Sequence, residues 1–394
     1  MLGWVFALMW GTCECRPLRA SGDWAGIVSE WQGASWMESM SAPGACPLWP
    51  ILPLSRVALP GSHDSGAYAL PGPLAGGLLP ADVQELYQVL RRVAPGDAEE
   101  LDALLRRWGV TQRSPTFDVG AQLRAGIRYL DLRACLDESG VWRGCHALYG
   151  DPFQEILQSV ASFLDEHRGE AVVVEVAVVG GVPQAGSKKS VGKLEHLIVQ
   201  ILGDHIHERP TGGGEVVPSL AALVASGRRC VILMDPPPGE HREADAGGPQ
   251  QPWPFWPVYE HVVNTWPDAG DVQSMVTFNT EAVNDFDRRS TANESFADRK
   301  FFKLTFVLTA TGPVVVDDLV RPRDERIPHT LVDLADAANA AYGAFADKHL
   351  RNVRLGGAVL FDNIHPEGEE SGQGAPLHPV VRQLLGLHAS RLCV

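Results

Sequence analysis

From about residue 55 to the C-terminus, short Val/Ile/Leu-rich runs alternate with amphipathic segments, and an α/β protein built on a parallel sheet buries both. The strand-like runs are Arg56 to Leu59, Ile127 to Arg133, Trp142 to His146, Ala171 to Val179, Arg229 to Asp235, Lys303 to Thr309 and Gly357 to Asp362. One more strand near Val258 brings the count to that of a (β/α)8 barrel. The clearest helix follows Gly150: Asp151 caps, Pro152 suits the first turn, and Phe153, Ile156, Leu157, Val160, Phe163 and Leu164 share a face. Weaker helical patterns cover Val191 to Leu202, Val272 to Val283 and Leu331 to Leu350.

At 394 residues the chain is long enough for one large barrel, and there is no internal repeat. No apolar run reaches the ~18 residues of a membrane span, so no transmembrane segment is expected. A formal charge of −15 argues against a nucleic-acid partner and limits contact with anionic lipid to local patches. Seven scattered cysteines form neither a disulfide framework nor paired metal ligands, so reduced thiols are expected, with Cys135 and Cys145 read as two packed thiols. MLGWVFALMWGTC, residues 1–13, has the apolar core of a signal peptide but no preceding basic residue. A cytoplasmic or peripheral-membrane location is expected, with secretion the lesser alternative. Residues 1–35 and the Gly/Pro-rich segments Pro71 to Pro80 and Pro236 to Pro257 read as irregular. The last carries Trp253, Phe255 and Trp256, either a lipid-touching loop tip or packing against the barrel rim.

Four motifs carry the chemistry. PGSHDSG, Pro60 to Gly66, delivers His63 and Asp64 from a strand onto a glycine-flanked turn where side chains stand exposed. In AGIRYLDLRACL, Ala125 to Leu136, strand alternation puts Ile127, Tyr129, Asp131 and Arg133 on one face, so two opposite charges project from the strand's carboxyl end. GCHALYGDPF places His146 at the end of the next run, and two histidines with an arginine then converge on one mouth. Glu175 interrupts a valine run and needs a buried partner, for which a histidine or arginine is the natural choice, while Asp362 ends the last strand in VLFDN. A structural role is slightly favoured for Glu175 and a functional one for Asp362.

PGSHDSG, GVTQ (Gly109 to Gln112), QLRAGIRYLDLR, CHALYG and VLFDN, in this order, resemble the phosphatidylinositol-specific phospholipase C X-domain family, and most closely its single-domain X-domain-containing members. The resemblance runs from about Trp36 to the end of the chain, making 36–394 one domain. It implies a distorted TIM-type barrel acting on phosphatidylinositol lipid at a membrane surface, and a monomer is expected. It also implies cleavage to diacylglycerol and inositol 1,2-cyclic phosphate, with His63 as general base on the inositol 2-hydroxyl, oriented by Asp362. His146 would be general acid to the glycerol oxygen, assisted by Asp64, and Arg133 would bind the phosphate, with Asp131 and Glu175 as substrate-binding residues. Paired histidines serve this chemistry because an internal hydroxyl attacks only as its proton leaves, and an alkoxide departs only when protonated.

Where calcium-dependent members carry metal ligands this chain has Asp64, Asp131, Arg133 and Ala177, and neither arginine nor alanine ligates calcium, so no metal or other cofactor is expected. The alternatives are a catalytically weak lipid-binding or scaffold barrel, and a glycerophosphodiester or sphingolipid phosphodiesterase. The latter uses a carboxylate cluster around a divalent metal, which is not evident here.

Overall fold

The computed structural model describes residues 32–42, 45–75, 105–210, 215–236, 253–310, 330–351, 356–365 and 377–392, with a few isolated positions between them. The signal-like stretch at 1–13 and most of 236–257 therefore lie outside the described residues. Among the described residues nine strands share one sheet: β1 Ala58–Ser62, β2 Tyr129–Leu136, β3 Trp142–His146, β4 Leu148–Pro152, β5 Val172–Gly181, β6 Cys230–Met234, β7 Val262–Asn264, β8 Phe301–Thr305 and β9 Gly357–Phe361. Seven of them are parallel in the spatial order β6, β5, β2, β1, β9, β8, β7. On the free side of β6, Trp256 donates to the Ile232 carbonyl (2.8 Å) and accepts from the Met234 N–H (2.9 Å), and Ile206 bridges Cys230, so among the described residues isolated bridges and no full strand stand in the eighth place. The fold is a distorted TIM-type barrel with its core inside and around the strand ring.

Two strand readings change. The expected strand near Val258 is β7, four residues later, because Val258–His261 closes a short helical turn first. The run Trp142 to His146 is not a barrel strand. β2 outruns the parallel ring, and beyond a bulge at Ala134/Cys135 its end pairs antiparallel with β3, which β4 in turn follows as a hairpin. Asp151 accordingly lies in β4, bonded to the Tyr68 hydroxyl (2.5 Å), and Pro152 takes the cap position of the helix Phe153–Glu166. That helix buries the six predicted apolar residues.

The cysteine reading is also corrected. Cys135 and Cys145 are disulfide-bonded, because the antiparallel pairing of β2 and β3 brings their Cα atoms to 6.0 Å, within bridging range. Cys46 is disulfide-bonded too, and among the described residues only the buried Cys230 is a free thiol. Phe255 and Trp256 are fully buried, and Trp253 stacks edge-on against Phe255, so these aromatics pack on the barrel and do not form an exposed tip. No helix among the described residues is long and apolar enough to cross a membrane.

At the end of the barrel where the strands begin, the wholly buried Arg128 organises the chain. Alternation in β2 turns it outward, where its guanidinium donates to the Glu170 carboxylate (2.9 and 2.7 Å) and to the carbonyls of Gly33, Ala34, Leu123 and Ile127. Glu170 in turn accepts from the N–H groups of Met37 and Glu38 at the start of the helix Trp36–Ser41. The pair is fully desolvated but every donor is used, which is the condition under which a buried ion pair is tolerated. Glu170→Ala would strand the cation, so a loss of ~3–5 kcal/mol in unfolding free energy is expected by urea denaturation. A loss under 1 kcal/mol would mean that the pair does not hold this end together.

Candidate active site

The site stands at the carboxyl ends of β1, β2 and β9, joined by β3. Parallel register sets Gly61 opposite both Tyr129 and Leu360, so the residues leaving β1 and β9 emerge beside the charged half of β2. His63 and Asp64 follow β1, Asp131 and Arg133 lie in β2, His146 ends β3, and Asp362 follows β9. Asp64, Ala147 and Asn363 all have left-handed backbones (φ 40°, 59° and 47°). Each comes at or next to a residue of the cluster, where the chain turns sharply off its strand; Asp and Asn take this conformation more readily than other non-glycine residues, so the cost falls chiefly at Ala147.

The GVTQ segment holds these turns together. The Gly109 carbonyl accepts from His146 Nδ1 (2.7 Å), Thr111 donates its hydroxyl to the Asp64 carbonyl (3.3 Å), and the Thr111 carbonyl accepts from the Asn363 N–H (2.8 Å). Gln112 Oε1 takes the N–H of Ile364 (3.1 Å). A Cβ at Gly109 would meet Leu70 Cδ1 at 2.8 Å and the His146 carbonyl oxygen at 3.1 Å, so a larger residue here would have to push the Leu70 side chain aside. The motif carried no assigned role in the sequence, since a backbone carbonyl leaves no mark on residue identity.

Asp64 is the hub. Its Oδ2 is 3.5 Å from Nε2 of both His63 and His146, and its Oδ1 is 3.0 Å from Arg133 Nε. Asp362 Oδ1 is 3.1 Å from His63 Nδ1, and Asp131 Oδ2 accepts from the other arm of Arg133 at 2.9 Å. The Arg133 Nε contact is close yet misaligned, and Asp64 Oδ1, Asp131 Oδ1 and Arg133 Nε all lack a hydrogen-bond partner among the described residues. Three unsatisfied polar atoms in one buried spot are what a polar ligand would complete.

Glu175 lies one layer deeper in the barrel. Both its oxygens accept from Lys303 Nζ (2.7 and 2.8 Å) and one from the Tyr129 hydroxyl (2.5 Å), so its partner is a lysine from β8 and neither a histidine nor an arginine. Lys303 was missed because its run reads as an ordinary apolar strand. Trp266, also missed, is 39% exposed and sets its ring 5.1 Å from that of His63.

Burial alone would pull the His63 imidazolium down, but Asp64 and Asp362 outweigh it and push the pKa up to about 9. Burial pushes Asp131 up, and Arg133, Lys303 and His63 overcome it to hold the carboxyl down at about 2. Burial raises Asp362 against the pull of His63. Burial opposes the charge of Arg133, yet Asp131 and Asp64 drive its pKa above the ordinary guanidinium value.

A cation could be held by His63, Asp64 and Asp131, whose ligand atoms lie within 4.8 Å of one another. Calcium, however, wants six or more oxygens, and both carboxylates already lie against the Arg133 guanidinium. The donor set therefore does not fit calcium.

His63 is raised in the folded state, so its contribution to stability is complete below 6.5 and is lost as pH rises through about 9. Imidazole NMR should place the His63 titration well above 6.5, and Asp362→Asn should lower it and shrink the fall in melting temperature across that window. A His63 titration at or below 6.5 in the native chain would contradict this electrostatic account.

No family model matches the chain. It is 29% identical over 231 residues to PI-PLC X domain-containing protein 1 of Mus musculus, spanning 57% of this chain and 58% of the relative. It is 30% identical over 184 residues to PI-PLC X domain-containing protein 3 of Danio rerio (45% and 51%), and 33% identical over 150 residues to PI-PLC X domain-containing protein 2 of Homo sapiens (37% and 44%). The match thus spans about half the length of these curated relatives. In fold, the chain superposes on the phosphatidylinositol-specific phospholipase C from Listeria monocytogenes with a TM-score of 0.54 at 15% identity, covering 90% of this chain and 99% of that one. A Staphylococcus aureus phosphatidylinositol-specific phospholipase C gives 0.54 at 14% identity, covering 91% and 99%.

Proposed function

We propose that this chain, a homologue of the PI-PLC X domain-containing proteins, is a phosphodiesterase that cleaves phosphatidylinositol-type lipids to diacylglycerol and inositol 1,2-cyclic phosphate. The observation that carries the reading is Asp64 Oδ2 at 3.5 Å from both imidazole Nε2 atoms, with Arg133 on the same carboxylate. Two proton carriers and one fixed cation around a single anion are the parts that an in-line displacement at phosphorus needs.

His63 takes the proton of the inositol 2-hydroxyl as that oxygen bonds to phosphorus, and Asp362 on the opposite ring nitrogen steadies the imidazolium that forms. Arg133 meets the charge growing on the phosphate oxygens, its planar fork held by Asp64 and Asp131. His146 gives its proton to the departing glycerol oxygen, and its Nδ1 bond to the Gly109 carbonyl keeps Nε2 directed at the reaction. Exposure follows the same order: His63 is nearly closed off, whereas Arg133 and His146 side chains are 30% and 36% exposed. This suits a headgroup that enters the barrel while the diacylglycerol stays in the membrane. Because His63 rests as an imidazolium at neutral pH, the base form is the minor species there, and kcat/KM should carry an ascending limb toward pH 9.

The chain acts in this reading as a monomer at a lipid surface and without metal. The Cys135–Cys145 bridge and the bonded Cys46 favour an oxidising compartment over the cytoplasm.

Purified protein incubated with phosphatidylinositol micelles in chelator should release inositol 1,2-cyclic phosphate. His63→Ala and His146→Ala should each lower turnover about a hundredfold or more with unchanged circular dichroism. No cyclic product from a folded native chain would leave a lipid-binding scaffold, and product from glycerophosphodiesters instead would reassign the substrate.

Metal independence has its own test. Turnover should be equal in chelator and in added calcium, and Arg133→Ala should lose at least a hundredfold, since the guanidinium supplies the positive charge. Strict calcium dependence of the native chain, or chelator-resistant turnover without the arginine, would overturn that role.

A further inference from the structure

A second cluster lies at the other end of the barrel, where the strands begin. Glu260 and His261 end the helical turn that leads into β7, and Glu215 lies in the segment that reaches the helix Leu220–Ser226. The Val217 N–H donates to the Asp298 carbonyl, so that segment runs beside the entry to β8. Glu215, Glu260 and His261 each offer a ligand atom within 4.8 Å of the other two.

The histidine separates this group from an ordinary acidic cluster. His261 is 3% exposed, and its Nδ1 lies 3.1 Å from the Arg299 carbonyl, which can only accept, so Nδ1 carries the hydrogen. In the neutral ring Nε2 is then a bare lone pair. Among the described residues it has no hydrogen-bond partner, and it stands 3.7 Å from Glu260 Oε2, another electron-rich atom. The edge contact with Trp256, 4.9 Å between centroids, holds the ring in that orientation. A histidine whose far nitrogen is tied to a backbone carbonyl and whose near nitrogen faces carboxylates has the outer-shell arrangement of a metal ligand.

Arg209 is the rival occupant. Its guanidinium reaches Glu260 at 2.6 Å and Glu215 at 3.4 Å and neutralises part of their charge. An arginine has no acceptor to offer and its contacts leave the Nε2 lone pair unanswered, whereas a cation at the centre of the three ligand atoms answers all of them.

We propose that Glu215, Glu260 and His261 form a binding site for a divalent first-row transition metal of the zinc class, separate from the mouth and structural in its effect. One imidazole with two carboxylates is a borderline donor set that suits zinc and leaves room for water as a further ligand. The place gives the ion a purpose. β7 has three residues, and among the described residues the free side of β6 is paired only through the isolated bridges of Ile206 and Trp256, so this is a sparsely paired arc of the ring. A metal there clasps the segment at 215 to the start of β7.

The test uses the full chain and zinc chloride, read by elemental analysis after dialysis and by thermal unfolding. About one zinc per chain, a melting temperature that rises with zinc and falls back with chelator, and at least tenfold weaker binding in His261→Gln and Glu215→Gln are expected. Glu260→Gln, at the most exposed ligand, gives the same reading if either buried variant does not fold. Asp131→Asn should keep its zinc, which distinguishes this cluster from the one at the mouth. Arg209→Ala should bind zinc no more weakly than the native chain, because it removes a competitor. No retained zinc and no zinc-dependent shift, unchanged affinity in the ligand variants, loss of zinc in Asp131→Asn, or loss of zinc in Arg209→Ala would each overturn the proposal.

Discussion

The parallel pairing of β1 with β2 on one side and β9 on the other is the constraint from which the rest of the site follows. β1 contributes five residues, all buried, and its register puts Gly61 level with Tyr129 and Leu360. Parallel strands end on the same side of a sheet, so the charged half of β2, the His-Asp pair after β1 and the carboxylate after β9 arrive at one mouth. Left-handed turns at Asp64 and Asn363 then swing the chain aside, and the 109–112 strap fixes both.

Inside the ring the charges are layered. Tyr129, Glu175 and Lys303 form a closed network across the barrel, since β5 and β8 are not neighbours. Above it lie Asp131 and Arg133, and above those Asp64 between the two histidines. The lower layer is satisfied within itself, while the upper one leaves Asp64 Oδ1, Asp131 Oδ1 and Arg133 Nε incomplete. A site prepared for a ligand differs from a structural ion network in this respect. Lys303 also acts upward, helping to hold the Asp131 carboxyl ionised so that it can steady the guanidinium.

The two ends of the barrel divide the work. Arg128 and Glu170 lock the N-terminal helix and the start of β2 where the strands begin, with every donor used. The mouth keeps its strain and its unpaired atoms. The disulfide between β2 and β3 lies near the mouth, two residues past Arg133 and one before His146, so it tethers the strands that carry these two side chains.

Much of this was legible in the sequence, for local reasons. Alternating apolar runs and amphipathic segments dictated the α/β class, period-2 alternation put Asp131 and Arg133 together with Arg128 opposite, and the six apolar residues of Phe153–Glu166 marked its buried face. His63, Asp64, His146 and Asp362 could be picked out because chemistry-bearing residues at strand ends are rare letters in recognisable motifs. What needed the tertiary structure was whatever depends on distance between segments far apart in the chain. The run Trp142 to His146 reads like any other strand until β2 is seen to outrun the ring, and its hairpin partner β4 carries the residues that read as the start of the following helix. The Cys135–Cys145 bond depends on that same pairing, and spacing alone does not show it. Lys303 looks like an interruption in an apolar run until the barrel closes and sets it against Glu175, 128 residues away. Gly109 acts through a carbonyl that every residue possesses. Sequence pattern records which residues a segment must bury or expose, whereas the partners across the barrel are chosen only when the sheet closes.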